Sequence, residues 1–339
     1  MEVEIPVGPR AQLTTQLVRR VADAYGLGQI TGAQDLGGAY NLNVRFETKR
    51  GPYVARVYRP WVVPRRLAAV QAAKVALQEA GIPVVLPIAT PSGAQHITYA
   101  ERLVEVEPYV DHDATGASWH SYVRAFAFLA RLHGALAHSV AGPALPPPAV
   151  ENYTAPAELA GLIDQTWACI HGVPHPLRAV ALRTCAQALE VLAPVSDGWR
   201  SGGSRLPHQV VHGDFGPGNL LVRRGRVVAL VDLEFMAAHE RLFDLAYAAF
   251  WMMQRMAPGT AYGQRSWCRV RAVLDAYDAT AAAPLTDAER QALPLAMARV
   301  PLHWVGEAGF LPDPTGAAAA CANDVALAAW IVGHPGEVI

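Results

Sequence analysis

The segment Val210-Val211-His212-Gly213-Asp214-Phe215-Gly216-Pro217-Gly218-Asn219-Leu220-Leu221-Val222 constrains this chain more than any other. A valine pair leads into a loop carrying Asp214, and Asn219 follows five residues later. Leu220 to Arg223 then runs into a turn at Arg224-Gly225, and Arg226 to Val231 returns to end at Asp232. Two short runs of strand-forming residues around such a turn read as a β-hairpin. A hairpin brings its two ends together, so Asn219 and Asp232 are expected to face one pocket beside Asp214. Mg²⁺ suits such a set, because it takes one or two carboxylates and completes its shell with water and phosphate oxygens. A further carboxylate can hold and deprotonate a hydroxyl group.

The flanking sequence organises around this island. Residues 12–25 carry apolar residues at helical spacing, with Gly26 and Gly28 as stop signals. Residues 30–58 switch to a period of two, with a turn at Lys49-Arg50-Gly51-Pro52. Residues 62–80 read as a helix between Pro64 and Gly81, and short strands are expected near 84–88, 96–99 and 102–107. After Pro108 the pattern becomes helical over 118–138, much of 156–195, 268–280, 286–302 and 316–333, interrupted by the β-rich stretch 210–235 and a Pro-rich loop at 142–148. The fold class is therefore α+β. It comprises a small N-terminal β-sheet lobe (1–107), a hinge near Glu107 to Val110, and a larger, mostly helical C-terminal lobe (108–339).

His-Gly-Asp-x-x-x-x-Asn, then Val231-Asp232-Leu233-Glu234 a hairpin later, then Phe243-Asp244-Leu245-Ala246, resembles the aminoglycoside phosphotransferase / choline kinase-like family, which has the protein-kinase-like fold. The resemblance implies ATP and Mg²⁺ as cofactors and transfer of the γ-phosphate to a hydroxyl of a small molecule: an aminoglycoside, an amino alcohol, homoserine or a sugar-like compound. It makes Asp214 the catalytic base and gives Asn219 and Asp232 to Mg²⁺. Asp244 would brace the catalytic loop, with His212 a structural part of it, and Glu234 would serve beside the metal or the substrate. Gly37 and Gly38, in Leu36-Gly37-Gly38-Ala39-Tyr40-Asn41, sit where the family places its phosphate-covering loop, and that loop also looks like the one in homoserine kinase-like members. Arg56 stands at the ATP-binding cation, which is lysine in many kinases. The backbone around Glu107 and Tyr109 would pair with adenine. One departure stands out: Gln71 occupies the position of the acid that usually partners that cation, and the nearest acid in that helix is Glu79.

Composition excludes other classes. Charged residues make up 17% and the net charge is −1, so no general field attracts nucleic acid or an anionic membrane. Met1 to Pro9 has no basic start or apolar core, and the longest apolar stretch, 317–332, is broken by Asn323 and Asp324, which leads to the expectation of a soluble, cytoplasmic protein. Cys169, Cys185, Cys268 and Cys321 form no Cys-x-x-Cys pair and read as reduced thiols packed as small apolar groups. The chain has only two lysines, Lys49 and Lys74, neither following a glycine in a Walker-type loop and neither reading as a phosphate ligand. Glu105 and Glu107 read as strand edge and hinge, and His133 as a satisfied helix histidine. A protein Ser/Thr kinase of the same fold and a nucleotide-binding module without turnover stand as alternative functions. Oligomeric state is not legible.

Overall fold

The computed structural model describes residues 10–38, 40–113, 118–139, 145–202 and 205–339. The readings made above for Met1 to Pro9, Ala39 and the first half of the 142–148 loop lie outside these residues. In chain order the elements are α1 (Thr15–Tyr25), β1 (Ile30–Asp35), β2 (Leu42–Thr48), β3 (Gly51–Val57), α2 (Pro64–Glu79), β4 (Ile97–Tyr99), β5 (Arg102–Pro108), α3 (Trp119–Ser139), α4 (Pro156–His171), α5 (Arg178–Gly202), β6 (His208–Val211), β7 (Leu220–Arg223), β8 (Arg226–Leu230), β9 (Ala237–Glu240), α6 (Leu242–Arg255), α7 (Cys268–Asp278), α8 (Asp287–Glu307), α9 (Pro314–Ala320) and α10 (Ala322–Gly333).

The chain divides into two compact units. The first comprises residues 1–115, 139–150 and 220–234, and the second comprises 116–138, 151–219 and 235–339. A single cut after residue 107 is therefore not the partition found: the β7–β8 hairpin belongs with the N-terminal sheet, because the Leu230 amide donates to the Pro83 carbonyl (2.7 Å) and Val84 bridges Leu230.

The first unit is built on an antiparallel sheet in the order β1-β2-β3-β5-β4. Thr14 caps α1 by accepting from the Leu17 amide (3.1 Å), and Gly26 closes that helix at φ +60°. Leu17, Val21 and Tyr25 recur at helical spacing and pack on Val44, Phe46, Ala55, Val57, Val104 and Val106 of the sheet. Strand alternation sends the intervening residues of β3 and β5 to the opposite face. That face carries Arg56, Tyr58, Glu105 and Glu107, and α2 lies against it with Leu67 in contact with Tyr58 and Leu103. The expected strand at 84–88 is reduced to the single bridge at Val84.

The second unit is mostly helical. Packing joins α4, α5 and α8, α6 lies on α8, and α10 packs on α5 and α8. Helix α6 is buried along nearly its whole length, from Leu242 to Met253. Strand β9, which the sequence reading missed, pairs antiparallel with β6. No single helix among the described residues is long and apolar enough to cross a membrane; α9 and α10 together pass that test only as a pair bent by 43°. All four cysteines are free thiols, but Cys169 and Cys268 are exposed, against the expectation that they pack.

Candidate functional site

In the helical unit, strand β6 ends at Val211 and the chain turns through His212-Gly213-Asp214. Gly213 has φ +82°, and a Cβ there would come within 2.2 Å of the Phe235 carbonyl oxygen, so the turn requires glycine. Asp244, at the first turn of α6, is fully buried and holds this loop by its backbone. One carboxylate oxygen accepts from the His212 amide (2.8 Å) and from His133 Nε2 (3.1 Å), and the other accepts from the Gly213 amide (2.9 Å). Burial pushes the Asp244 carboxyl upward, but the bond from His133 and those from the loop outweigh it, and its pKa lies below the ordinary carboxylate value. His133 is fixed in turn by the Tyr277 hydroxyl, 2.9 Å from Nδ1. Asn152 donates to the Gly213 carbonyl (3.1 Å), and His212 Nδ1 receives the Asp214 amide (3.2 Å). Asn152 and Tyr277 carry no motif, and the sequence reading missed both.

The Asp214 side chain faces a pocket of about 170 Å³ lined by Asn219, Tyr122, Tyr247, Trp251 and Arg255. The Tyr247 hydroxyl donates to Asp214 Oδ1 (2.9 Å). Asn219 Nδ2 donates to the Asp214 carbonyl (2.7 Å) and lies 3.3 Å from its Oδ2. With that amide nitrogen committed, the carboxamide oxygen is the Asn219 atom left to offer a cation. The Arg255 guanidinium lies over the Trp251 ring at 5.2 Å.

In the sheet-bearing unit, Gly37 and Gly38 lie between β1 and β2 at φ +88° and +115°. The Gly37 amide donates to Asp35 Oδ1 (2.8 Å), and Asn43 Nδ2 donates to the Gly37 carbonyl (3.1 Å). Arg56 is buried on β3 and forms an ion pair with Asp232. Burial lowers the Arg56 pKa, but Asp232 and its acidic neighbours outweigh this and hold it well above the usual guanidinium value. Asp232 itself adopts φ +61°, a left-handed conformation that aspartate tolerates better than most residues. Glu234 Oε1 accepts from Asn41 Nδ2 (2.7 Å), and Arg66 donates to the Glu234 carbonyl (2.6 Å). The Tyr109 amide donates to the Pro52 carbonyl (3.0 Å). That donor is committed to the sheet, so the expectation that this backbone stretch meets adenine cannot include the Tyr109 N–H.

One reading is corrected here. Glu105 and Glu107 do not lie at a strand edge: β5 runs between β3 and β4, and the two acids are 0% and 6% exposed beneath α2. Lys74, given no phosphate role above, is 6% exposed, and its Nζ bridges Glu105 (3.1 Å) and Glu107 (2.5 Å). Gln71 Nε2 adds a bond to Glu105 (2.9 Å), and the Tyr58 hydroxyl donates to the same carboxylate. Burial alone would lower the Lys74 pKa and raise that of Glu105. The attraction of Glu107, and then of Glu105, outweighs burial for Lys74 and leaves it above its ordinary value; Lys74, with the bonds from Tyr58 and Gln71, leaves Glu105 below its own. The available signal was a lone lysine amid the alanines and valines of α2, facing a Glu-x-Glu strand in the fold. Arg56, Tyr58, Lys74, Glu107, Asp232 and Glu234 surround a space of about 10 Å³, room for about one water.

Among the described residues no group of three or more His, Cys, Asp or Glu side chains is placed to hold a metal by itself. Mg²⁺ needs no such cage when phosphate oxygens and water complete its shell, and the Asn219 carboxamide oxygen is a hard donor of the kind it takes.

An antiparallel sheet with a helix on each face, and a mostly helical unit carrying an Asp-centred loop, make up a fold of the protein-kinase-like class. The chain belongs to the phosphotransferase enzyme family, whose model matches residues 31–282. It is 31% identical to a homoserine kinase from Phenylobacterium zucineum (strain HLK1) over 105 residues, a match spanning 31% of this chain and 29% of that protein. Its fold is similar to that of a microcompartment-associated aminopropanol kinase, with a TM-score of 0.72 at 14% identity, covering 96% of this chain and 99% of the other. It is also similar to amicoumacin kinase hAmiN in complex with AMP-PNP, Ca²⁺ and Ami, with a TM-score of 0.65 at 15% identity over 92% and 93% of the two chains.

Proposed function

We propose that this protein is an ATP-dependent kinase that transfers the γ-phosphate to a hydroxyl of a small molecule. The observation that carries the reading is Asp214. Its loop is pinned by a buried carboxylate through two backbone amides, and its own carboxylate points into a pocket of small-molecule size beside Asn219 and Tyr247. In that pocket Asp214 would orient the acceptor hydroxyl and take its proton, with Tyr247 fixing one of its oxygens. Asn219 and Asp232 would hold Mg²⁺, which when bound supplies charge neutralisation at the phosphates. Arg56 would bind phosphate, and the backbone at Gly37 and Gly38 would cover it. His212 and Asp244 keep the catalytic loop in shape, and Glu234 keeps Asn41 in place. Catalysis is then mainly positioning and charge compensation. In domain terms, the sheet-bearing unit takes the nucleotide and the helical unit takes the acceptor.

The acceptor pocket carries one anion, Asp214, and one cation, Arg255. With Asp214 given to the acceptor hydroxyl, Arg255 suits a small acceptor bearing a carboxylate group, in line with the partial match to a homoserine kinase. A polycation would meet Arg255 unfavourably.

The test is ADP release with a panel of amino acids, amino alcohols, sugars and antibiotics. Turnover is expected with at least one acceptor and should fall at least about 100-fold in Asp214→Ala. Arg255→Gln should raise KM for a carboxylate-bearing acceptor while leaving KM for ATP unchanged. Equal turnover by Asp214→Ala and the wild type would remove Asp214 from its role.

A further inference from the structure

Helix α2 is tied to the sheet by an ion pair of reversed polarity. In the expected arrangement the strand supplies the cation and the helix supplies the acid. Here the strand supplies Glu105 and Glu107, and the helix supplies Lys74, one of only two lysines in the chain. Gln71, where the acid was expected, donates to Glu105. Replacing a buried ion pair by packed apolar side chains is often neutral or stabilising, so stability alone does not explain three nearly unexposed charges at one point. Their location is more informative. Glu105 is the register partner of Arg56 across β3 and β5, and it also receives the hydroxyl of Tyr58, two residues beyond Arg56. Lys74 and Glu107 line the same space as Arg56, Asp232 and Glu234.

We propose that Lys74 is a positioning residue for the nucleotide, holding Glu105 and Glu107 so that Arg56 stays available to phosphate. The proposal rests on the kinase reading above. The lining of that space carries two cations, Arg56 and Lys74, against three carboxylates, Glu107, Asp232 and Glu234. With Lys74 in place, Glu107 is matched by the ammonium at 2.5 Å, and Arg56 has Asp232 as its counter-charge. Without Lys74, one guanidinium faces three carboxylates. A bare Glu107 then competes for Arg56, and the local field opposes a polyanionic triphosphate. The tie also fixes α2 against β5, so its loss frees the strand that carries Glu107 and leads to Tyr109.

The experiment uses the full chain and measures binding of AMP-PNP with Mg²⁺ by calorimetry, alongside KM for ATP, KM for the acceptor, and kcat. Lys74→Met should weaken AMP-PNP binding at least tenfold and raise KM for ATP in parallel, with KM for the acceptor within twofold of wild type. Lys74→Arg should recover part of the affinity, because it keeps the charge with a different donor geometry. If Lys74→Met does not fold, Glu107→Gln decides: removing half of the acid that Lys74 holds should shift AMP-PNP affinity severalfold and leave acceptor KM alone. The proposal is overturned if the folded variant binds AMP-PNP within twofold of wild type, or if acceptor KM rises as much as that for ATP. A wild-type protein that binds no AMP-PNP would sink the kinase reading itself, whereas wild-type binding with unaffected variants would sink only the role of Lys74.

Discussion

The two units each contain a buried charged cluster, and the clusters hold different things. In the helical unit one carboxylate, Asp244, receives two backbone amides and His133, so it holds the main chain of the loop directly. In the sheet-bearing unit the groups are side chains throughout: Lys74, Gln71 and Tyr58 converge on Glu105, and Lys74 reaches Glu107 as well. The first cluster fixes a conformation, and the second fixes the spacing of a helix over a strand and the charge balance around Arg56. Loss of the first should therefore appear mainly in folding, and loss of the second mainly in nucleotide affinity.

The sharpest test of this contrast is Asp244→Ala, which strands two buried amides and His133. It should cost about 3–5 kcal/mol, read by chemical denaturation. A loss below about 1 kcal/mol would mean that the loop holds itself. Next, Gly213→Ala and Gly37→Ala compare the two glycine loops. Both have positive φ, but an added Cβ at 213 meets the Phe235 carbonyl at 2.2 Å, whereas at 37 it meets nothing within 4 Å. Thermal melts should show a loss of about 2 kcal/mol or more at 213, and about 1 kcal/mol at 37. Equal losses would show that the close approach is relieved by movement of the 235 segment. In the second cluster, Gln71→Ala removes one bond to a buried carboxylate and should cost about 1.5 kcal/mol, with AMP-PNP affinity falling alongside. An unchanged affinity would detach Gln71 from the nucleotide.

The last contrast is pH dependence, with an acid limb set by His303 and an alkaline limb set by Lys74. His303 is buried and neutral, 2.8 Å from the Thr154 hydroxyl, with its pKa depressed to about 3 by burial and by Arg299. The unfolded chain takes up this proton first, so stability should fall by about 1.4 kcal/mol per pH unit below roughly pH 6.5. Asp244, also depressed, adds to the loss below about pH 4. Lys74 is raised, so its contribution persists below roughly pH 10 and is lost as pH climbs through its folded value. Denaturation midpoints across pH should show a shallower acid limb in His303→Gln and a shallower alkaline limb in Lys74→Met.

How legible these features were follows from their distance along the chain. The sequence alone placed the β7–β8 hairpin, because its two strand runs and its turn are adjacent along the chain; the Asp214 loop and its brace Asp244 came from the family resemblance, and the bonds from the loop amides to Asp244 are tertiary. The sequence also placed α1, β2, β3 and β5, whose apolar residues line the face they bury, and α2 from its bounds at Pro64 and Gly81. Tertiary structure alone decided the partner of Arg56, 176 residues away, the membership of the β7–β8 hairpin in the sheet-bearing unit, and the burial of Lys74 against Glu105 and Glu107. Alternation along β5 indicates that Glu105 and Glu107 share a face, but a strand does not say what covers that face. A helix packed over it turns two apparent surface acids into buried ones and makes a lysine at helical spacing their counter-charge, because burial raises the cost of leaving either sign unpaired.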